Sequence, residues 1–585
     1  MFASPLLVAA LAAFSPAPQE PTEGPSKLLP LSSIGFVEFA GLEACARAAN
    51  EAPLIALAER LAERALGARP AALFAAEVLP EITEGLRETG LGLREMRALL
   101  RGRIALGFGR PVGFDNELLP AFGLVVEIGD DAEGVKHAID EFVDAITSKG
   151  SVAVRTEKLG GIEAQVLHHQ SRTGEIWLTQ VDNYAIGTVG RGYLAEILRT
   201  LRGEQPSICG TDLARRARSD VGEGALAVGA VNLRPISDLL RWYAPYEADP
   251  ILAALGLGSI DGITFGTAFR DGQSVDVLRL AGELSEDGLL AALGGGRVDP
   301  ALVATLPADT ALVCGLSLDP ARLETAIAAL VDALPLPARR EFNREVRNEI
   351  TNGLRELGVP VSDLLAMVKA LGPDLVLGVT MPAFQMGVPQ FPRIVLACRA
   401  AQGSEMTAKI AGLCERFGAV VQSQTVDDRT VRWVNVEGAP VRISVAFVEA
   451  GDRIVAASDV RYLKELLRAE HGLEFDPATA GDGCFQSSAL FAWLRVRENV
   501  GTLWQQLAPQ VENLLESNEQ IPIEPEDLPT PEELHAALRD VSIGIGMDEA
   551  GLSIRLASPI GGGFYLAVFG ALLEEAATGS RKRTG

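Results

Sequence analysis

The sequence predicts an α+β protein in which one module, a largely antiparallel sheet with packed helices, occurs twice in tandem. Three observations carry this expectation. Short phrases recur in constant order at intervals of 264 to 278 residues. Ala-rich helical stretches alternate with blocks of short β-rich runs. Four such runs between residues 151 and 188 follow one another closely, whereas parallel strands need crossovers of about a dozen residues.

The recurrence is sharpest in "EITEGLRETG" at 81–90 and "EITNGLRELG" at 349–358, which agree at eight of ten letters and lie 268 positions apart. "RIALGFGRP" at 103–111 answers "DLVLGVTMP" at 374–382, and "YLAEILRTL" from Tyr193 answers "YLKELLRAE" from Tyr462. "ALAVGAVNLRPISDLLRWYAP" at 225–245 lines up with "ALFAWLRVRENVGTLWQQLAP" at 489–509, and "ITFGTAFRDG" from Ile263 with "VSIGIGMDEA" from Val541. A repeat this long is a whole domain, well beyond the roughly 20–50 residues of a solenoid unit. The expected organisation is a leader and Pro-rich linker at 1–30, module one at 31–285, a linker at 286–304, module two at 305–558, and a closing apolar helix with a basic tail at 559–585.

Each module opens on a short strand, "IGFVEF" at 34–39 and "ALVCGLSL" at 311–318, followed by helical sequence at 41–100 and 320–370. Strands are expected at 103–109 and 122–128. Residues 130–150 form an amphipathic helix, because Val135, Ala138, Ile139, Phe142, Val143 and Ile146 fall on one face. The runs 151–157, 162–168, 174–180 and 183–188, separated by "KLGG", "QSRTG" and "VDN", read as a meander with tight turns. A helix from Gly192, a strand at 224–231, a helix at 234–243 and a hairpin at 260–280 complete the module. In "EITEGLRETG" itself, Ile82 and Leu86 share one helical face, and Gly90, like Gly358, fits the left-handed position that ends a helix. The late insert "ESNEQIPIEPEDLPTPEE" at 516–533 reads as a solvated acidic loop that lacks the ligand spacing of a calcium loop.

The chain has 585 residues, 48% of them hydrophobic and 22% charged, enough apolar material for several packed cores. Its net charge of −25 opposes nucleic-acid binding, which needs Lys and Arg against phosphate. Cys45, Cys209, Cys314, Cys398, Cys414 and Cys484 form neither C-x-x-C nor a zinc pattern, and read as small buried hydrophobes unless export pairs some of them. Leu6 to Phe14 is a nine-residue apolar run before a Pro-rich stretch. That is short of the roughly 20 residues that span a bilayer, and it reads as a secretory signal whose n-region lacks Lys and Arg.

The chemical motifs are sparse. His168 and His169 are adjacent, so on a strand they point to opposite faces and cannot easily grip one metal. No His lies near a Ser or Cys in a nucleophile motif, and "GGGR" at 294–297 and "IGGGF" at 560–564 match no phosphate loop and suit flexible linkers. No catalytic, cofactor-binding or metal residue is expected. Trp242, Tyr243 and Tyr246, with Trp493 and Trp504 in the matching region, are the candidate ligand groove. The apolar run at 559–573, before Arg581, Lys582 and Arg583, is either a closing helix packed on its own sheet or a segment for weak membrane association.

"LPADTALVCGLSLDPARLETAIAAL" at 306–330 resembles the opening of a family of exported bacterial proteins of unknown function, with Leu306 to Thr310 as its sharp letters. "LPLSSIGFVEFAGLEACARAA" at 29–49 is then the diverged first copy. The resemblance implies an extracytoplasmic α+β protein and brings no catalytic residues. The expected function is an exported, non-enzymatic binding or scaffold protein of the cell envelope, whose partner is an envelope protein or an apolar ligand. The alternatives are a carrier holding an apolar ligand between sheet and helices, and a motif-poor extracytoplasmic hydrolase.

Overall fold

The structure is a computed structural model. It describes residues 24–583 except 67–83, 85–90, 110–111, 115–116, 120, 130, 170–173, 236–247, 258, 286–287, 295, 348–351, 353–370, 382–391, 401–404, 417, 437–442, 469–471, 477–479, 486–487 and 518–526. Apart from Glu84 and Asn352, the phrase "EITEGLRETG" and its echo at 349–358 lie outside the described residues, as does most of the expected helix at 234–243. The architecture is mixed α+β. The chain divides into two compact units, residues 1–42 with 83–229, and 43–82 with 230–585.

In the first unit the strands are β1 (Gly35–Phe39), β2 (Ile104–Phe108), a small hairpin β3 (Val112–Phe114) and β4 (Glu117–Leu119), β5 (Phe122–Glu127), β6 (Val152–Leu159), β7 (Ile162–His169), β8 (Glu175–Val181), β9 (Tyr184–Val189) and the start of β10 (Ala225–Asn232). The pairing runs β1-β2-β5-β9-β8-β7-β6, antiparallel throughout. The expected meander is therefore present, and its turns are tight for a local reason. β8 and β9 are joined through Asp182, which sits at φ 51°, a left-handed conformation that Asp tolerates.

The helix Ala132–Ser148 spans the stretch its periodicity predicts. Val135, Ala138 and Val143 are buried, and the Asp131 carboxylate accepts the Gly134 N–H at 3.1 Å, satisfying an orphan donor of the first turn. Asp131→Ala is expected to cost about 1 kcal/mol, read as a lower urea midpoint for the first unit.

In the second unit the strands are β11 (Ser259–Arg270), β12 (Gln273–Glu283), β13 (Leu312–Ser317), β14 (Leu371–Thr380), β15 (Arg393–Ala400), β16 (Val421–Val426), β17 (Arg429–Val436), β18 (Ile443–Ala450), β19 (Arg453–Ala457), β20 (Ser488–Leu494), β21 (Val541–Asp548) and β22 (Gly551–Ser558). Their order is β11-β12-β22-β21-β20-β13-β14-β15-β19-β18-β17-β16, again antiparallel. The segment β13-β14-β15-β19-β18-β17-β16 has the same internal order as the sheet of the first unit.

The packing above these strands also matches. Tyr193 and Tyr462 are both buried, their hydroxyls 2.8 Å from the Ser33 hydroxyl and 3.1 Å from the Thr380 hydroxyl. A Cβ on Gly107 would stand 2.5 Å from the Tyr193 hydroxyl and 2.6 Å from Leu29, and one on Gly378 would stand 2.8 Å from Leu306. At both sites a side chain would have to push aside the leucine that fills the space above the sheet.

β12 and β22 pair antiparallel, with Val277 opposite Arg555. The helices around this seam cross it. The helix Gly562–Arg583, which follows β22, packs on β11 and β12, and the helix Leu289–Gly294, which follows β12, packs on β20 and β21. The closing helix thus lies on the sheet that β22 belongs to, but over β11 and β12 and not over the strands just before it. The reason is at its N-terminus: the Gly562 N–H donates to the Asp276 carboxylate at 3.0 Å and the Gly563 N–H to the Ser274 hydroxyl at 2.9 Å, both on β12. The same bonds correct the reading of "IGGGF" as a flexible linker. Farther out, the helix Pro53–Leu66 packs on the helix Pro531–Ala537, with Arg60 and Arg64 3.8 and 3.9 Å from Glu533, and the helix Ala248–Leu255 packs on the helix Pro320–Ala333. Residues 531–533 of the acidic insert thus begin a helix, capped by Thr530 and Glu533 in a reciprocal box, and are not loop.

No disulfide joins the six cysteines, and Cys45, Cys209, Cys398 and Cys484 are buried. Burial pushes the thiols of Cys45 and Cys398 up to about 11 and the Tyr193 phenol up to about 12. Each of these groups keeps its proton in the fold at a pH where the unfolded chain has lost it, so the unfolded state binds fewer protons and stability falls as pH rises. The loss is expected to begin near pH 9, where free thiols ionise, and to run to about pH 12. Urea midpoints measured between pH 7 and 11.5 check it; a flat profile contradicts it.

Candidate functional site

In the second unit, a cleft of about 830 Å³ opens beside the segment Ala304–Asp309. Its floor is rigid for reasons that start in the sequence. Thr310 folds its hydroxyl back onto the Pro307 carbonyl at 2.7 Å, and its own N–H reaches the same oxygen at 3.1 Å. The Leu473 N–H donates to the Leu306 carbonyl at 2.7 Å, and Leu306 itself is fully buried. From below, the buried Arg495 donates through Nη1 to the carbonyls of Ala308 at 2.7 Å and Thr310 at 2.9 Å. Burial holds the Arg495 pKa below its usual value, while Asp540 and Asp309 act the other way.

Six charged side chains line the walls. Arg393, which begins β15, pairs with Glu465 at 3.5 Å and lies 4.9 Å over the ring of Tyr462. The ring is partly desolvated there, and burial raises the Tyr462 pKa. Arg453, which begins β19, donates to the Ala301 carbonyl at 3.0 Å and lies 3.7 Å from Asp452. Asp452 also accepts Arg399 at 2.6 Å. Asp309 and Arg429 remain. Both are exposed, and neither has a hydrogen-bond or ion-pair partner among the described residues. Val455, Leu466, Leu467 and Pro307 supply the apolar part of the lining. Such a site can hold a small polar molecule by charge-assisted hydrogen bonds.

A second hollow, of about 650 Å³, is nearly all apolar and is lined by Tyr565, Leu566, Val568, Phe569, Leu572 and Thr267 along the helix Gly562–Arg583. Tyr565 is 65% and Phe569 45% exposed. In the first unit, a smaller cavity of about 220 Å³ is lined partly by Glu38, Arg103 and Arg218. Ser26 sits beside it, fully buried, hydrogen-bonded to Glu38, to Arg218 at 2.7 Å and to the Cys209 thiol at 3.2 Å. This network ties the segment Pro25–Leu28 down. A buried hydroxyl shut away from the cavity is suited to anchoring.

The aromatic groove expected from the sequence is placed as follows. Trp242, Tyr243 and Tyr246 lie outside the described residues. Trp493 is a core residue: it is 9% exposed, its indole N–H donates to Asp540 at 3.0 Å, and it packs 6.0 and 6.1 Å from Phe485 and Phe475. Its face on β20 is the inner one, among the described residues of the core. Trp504 is half-buried on the helix Val496–Ser517. His168 and His169 lie on β7, and among the described residues no group of three His, Cys, Asp or Glu can hold a metal. The cleft residues were reachable from sequence only in part. Leu306 to Thr310 stood out as a phrase, but Arg393, Arg429 and Arg453 each open a different strand, and no local pattern joins them.

Among the described residues, no helix is long and apolar enough to cross a membrane. No protein-family model matches the chain, and no curated protein does. Among solved structures, two crystal forms of TP0453 are similar at 9% and 10% identity, covering 45% and 46% of this chain and 80% and 81% of that one, each with a TM-score of 0.21. A likeness of that size supports no argument about fold or function.

Proposed function

We propose that the protein is an exported binding component of the cell envelope, built by tandem duplication of one α+β module, and that it takes its ligand in the cleft at Ala304–Asp309. The duplication rests on agreement between sequence spacing and strand pairing. Ile263 and Val541 align at a spacing of 278, which makes Arg555 the counterpart of Val277, and these two residues face each other across the β12–β22 seam. A strand paired with its own copy about that point is the arrangement of a two-fold dimer fused into one chain. The reciprocal packing of the helices that follow β12 and β22 supports the same reading.

The observation that carries the binding role is the cleft itself: a rigid loop held by a buried arginine, with one acid and one base left unspent at its walls. Export is tested by fractionation and mass spectrometry of the mature N-terminus. A shortened chain in the envelope fraction is the expected result, and an intact Met1 in the cytoplasm sinks the proposal. The carrier reading draws on a different feature, the exposed apolar hollow at Tyr565 and Phe569. Lipid released on denaturation of the purified protein, and absent from a Tyr565→Asp, Phe569→Asp double variant, would favour it over the cleft.

A further inference from the structure

The cleft, the apolar hollow and the Ser26 network are the three features that gather unusual side chains. The hollow has nothing on it to identify its occupant, and the Ser26 network is closed. The cleft carries an inference about ligand class, which rests on the binding role proposed above.

Its charges are balanced, with Arg393, Arg429 and Arg453 against Asp309, Asp452 and Glu465. Four of the six are spent inside the protein, in the pairs Arg393–Glu465 and Arg453–Asp452. A purely anionic ligand would have to approach these carboxylates, and a purely cationic one the arginines; each would meet a like charge for every opposite one. The two side chains without partners among the described residues are one of each sign, Asp309 and Arg429. We infer that the cleft binds a zwitterionic ligand of the short-peptide type, its ammonium on Asp309 and its carboxylate on Arg429.

Three further points agree. A volume near 830 Å³ falls in the range of about 300–1,000 Å³ for small-molecule sites. The guanidinium of Arg429 suits a carboxylate because its planar fork matches both oxygens. Asp309 stands on a loop whose two neighbouring carbonyls are fixed by Arg495, so it is held ready rather than ordered on binding. The first copy lacks the three arginines, though Glu196 stands where Glu465 does. By strand order, its residues at the positions of Arg393, Arg429 and Arg453 are Ala121, Ile162 and Tyr184. One copy thus lacks the basic half of the charges that the other brings together in its cleft, as expected when a duplicated module acquires a site.

The experiment uses the full chain and isothermal titration with trialanine and trileucine, each also as the N-acetyl and the C-amide derivative. Saturable binding of at least one free tripeptide is expected, weakened tenfold or more by either block. Arg429→Gln should bring the free peptide down to the affinity of its amide and leave the amide unchanged. Asp309→Asn should do the same with respect to the acetyl form. Both residues are exposed, and an unchanged melting temperature confirms that the variants fold. Equal binding of free and blocked peptides, or no saturable binding by the wild type, overturns the inference. If the wild type binds no tripeptide yet matures in the envelope fraction, the ligand class fails and the proposed export stands. If tripeptides bind to a chain that stays cytoplasmic with Met1 intact, the reverse holds.

Discussion

Phe491→Ala is expected to lower the stability of the second unit by about 4 kcal/mol, the cost of removing a large aromatic from a core that cannot collapse around the gap. Phe491 is 2% exposed on β20, its ring 4.5 Å from that of Phe485 and stacked on Phe475 at 5.6 Å. Beneath it, a Cβ on Gly315 of β13 would stand 2.3 Å from a ring carbon, so the backbone comes up to meet the ring and has little further to move. The transition should be followed in urea by the fluorescence of Trp493, which packs 6.0 Å from Phe485 in the same cluster. A shift worth less than about 2 kcal/mol, below the range for such truncations, would mean that the cluster relaxes and that the stacking is not the keystone of this unit. Gly315→Ala should be destabilising as well, in the same assay, because the added methyl must displace that ring.

Arg495→Met is expected to cost about 3 kcal/mol and to loosen the loop that floors the cleft. The two effects have one cause. The carbonyls of Ala308 and Thr310 both lose a charged donor; an unsatisfied buried group costs about 1–3 kcal/mol, which falls on the buried Thr310 carbonyl, while the more exposed Ala308 carbonyl loses less. Against this stands the desolvation of the guanidinium, which the lowered pKa registers and which Met does not incur. The donor loss wins because two carbonyls depend on one side chain. Amide exchange at residues 308 to 311 should quicken, and tripeptide affinity should fall with it even though Arg495 is not among the residues that line the cleft. Arg495→Lys is the informative control. A single ammonium cannot reproduce the planar fork, so partial recovery of stability with incomplete recovery of exchange protection is expected. Full protection in Arg495→Met would show that Thr310 and Leu473 hold the loop unaided.

Much of the fold was legible because the signals are local. The helix Ala132–Ser148 follows from apolar residues at helical spacing, and the meander β6 to β9 follows from runs too close for crossovers. The start of the helix Pro531–Ala537 was legible too, in the Thr530-to-Glu533 capping box, but the acidic and Pro-rich composition around it pointed to loop. Composition is a weaker guide than cap chemistry at a helix terminus, since a single reciprocal pair of hydrogen bonds fixes the first turn. Trp493 illustrates the opposite failure. An aromatic on a strand faces inward or outward according to register, and a shift of one residue exchanges the two faces. Its place beside Phe475 and Phe485 depends on residues distant in the chain.

The sequence by itself determined the class of the fold, the antiparallel meander and the spacing on which the proposed doubling rests, because helical periodicity, turn residues and repeated phrases are written within a few tens of residues. Only the tertiary structure decided which strands meet at the seam, why the closing helix lies on β11 and β12, and which charges share a cleft. These depend on pairing across the chain: Val277 with Arg555, Gly562 with Asp276, and the ends of β15, β17 and β19 around the loop at Leu306. Charges that gather from separate strands leave no local pattern, since each interacts with a partner whose distance is set by the sheet and not by its neighbours in sequence.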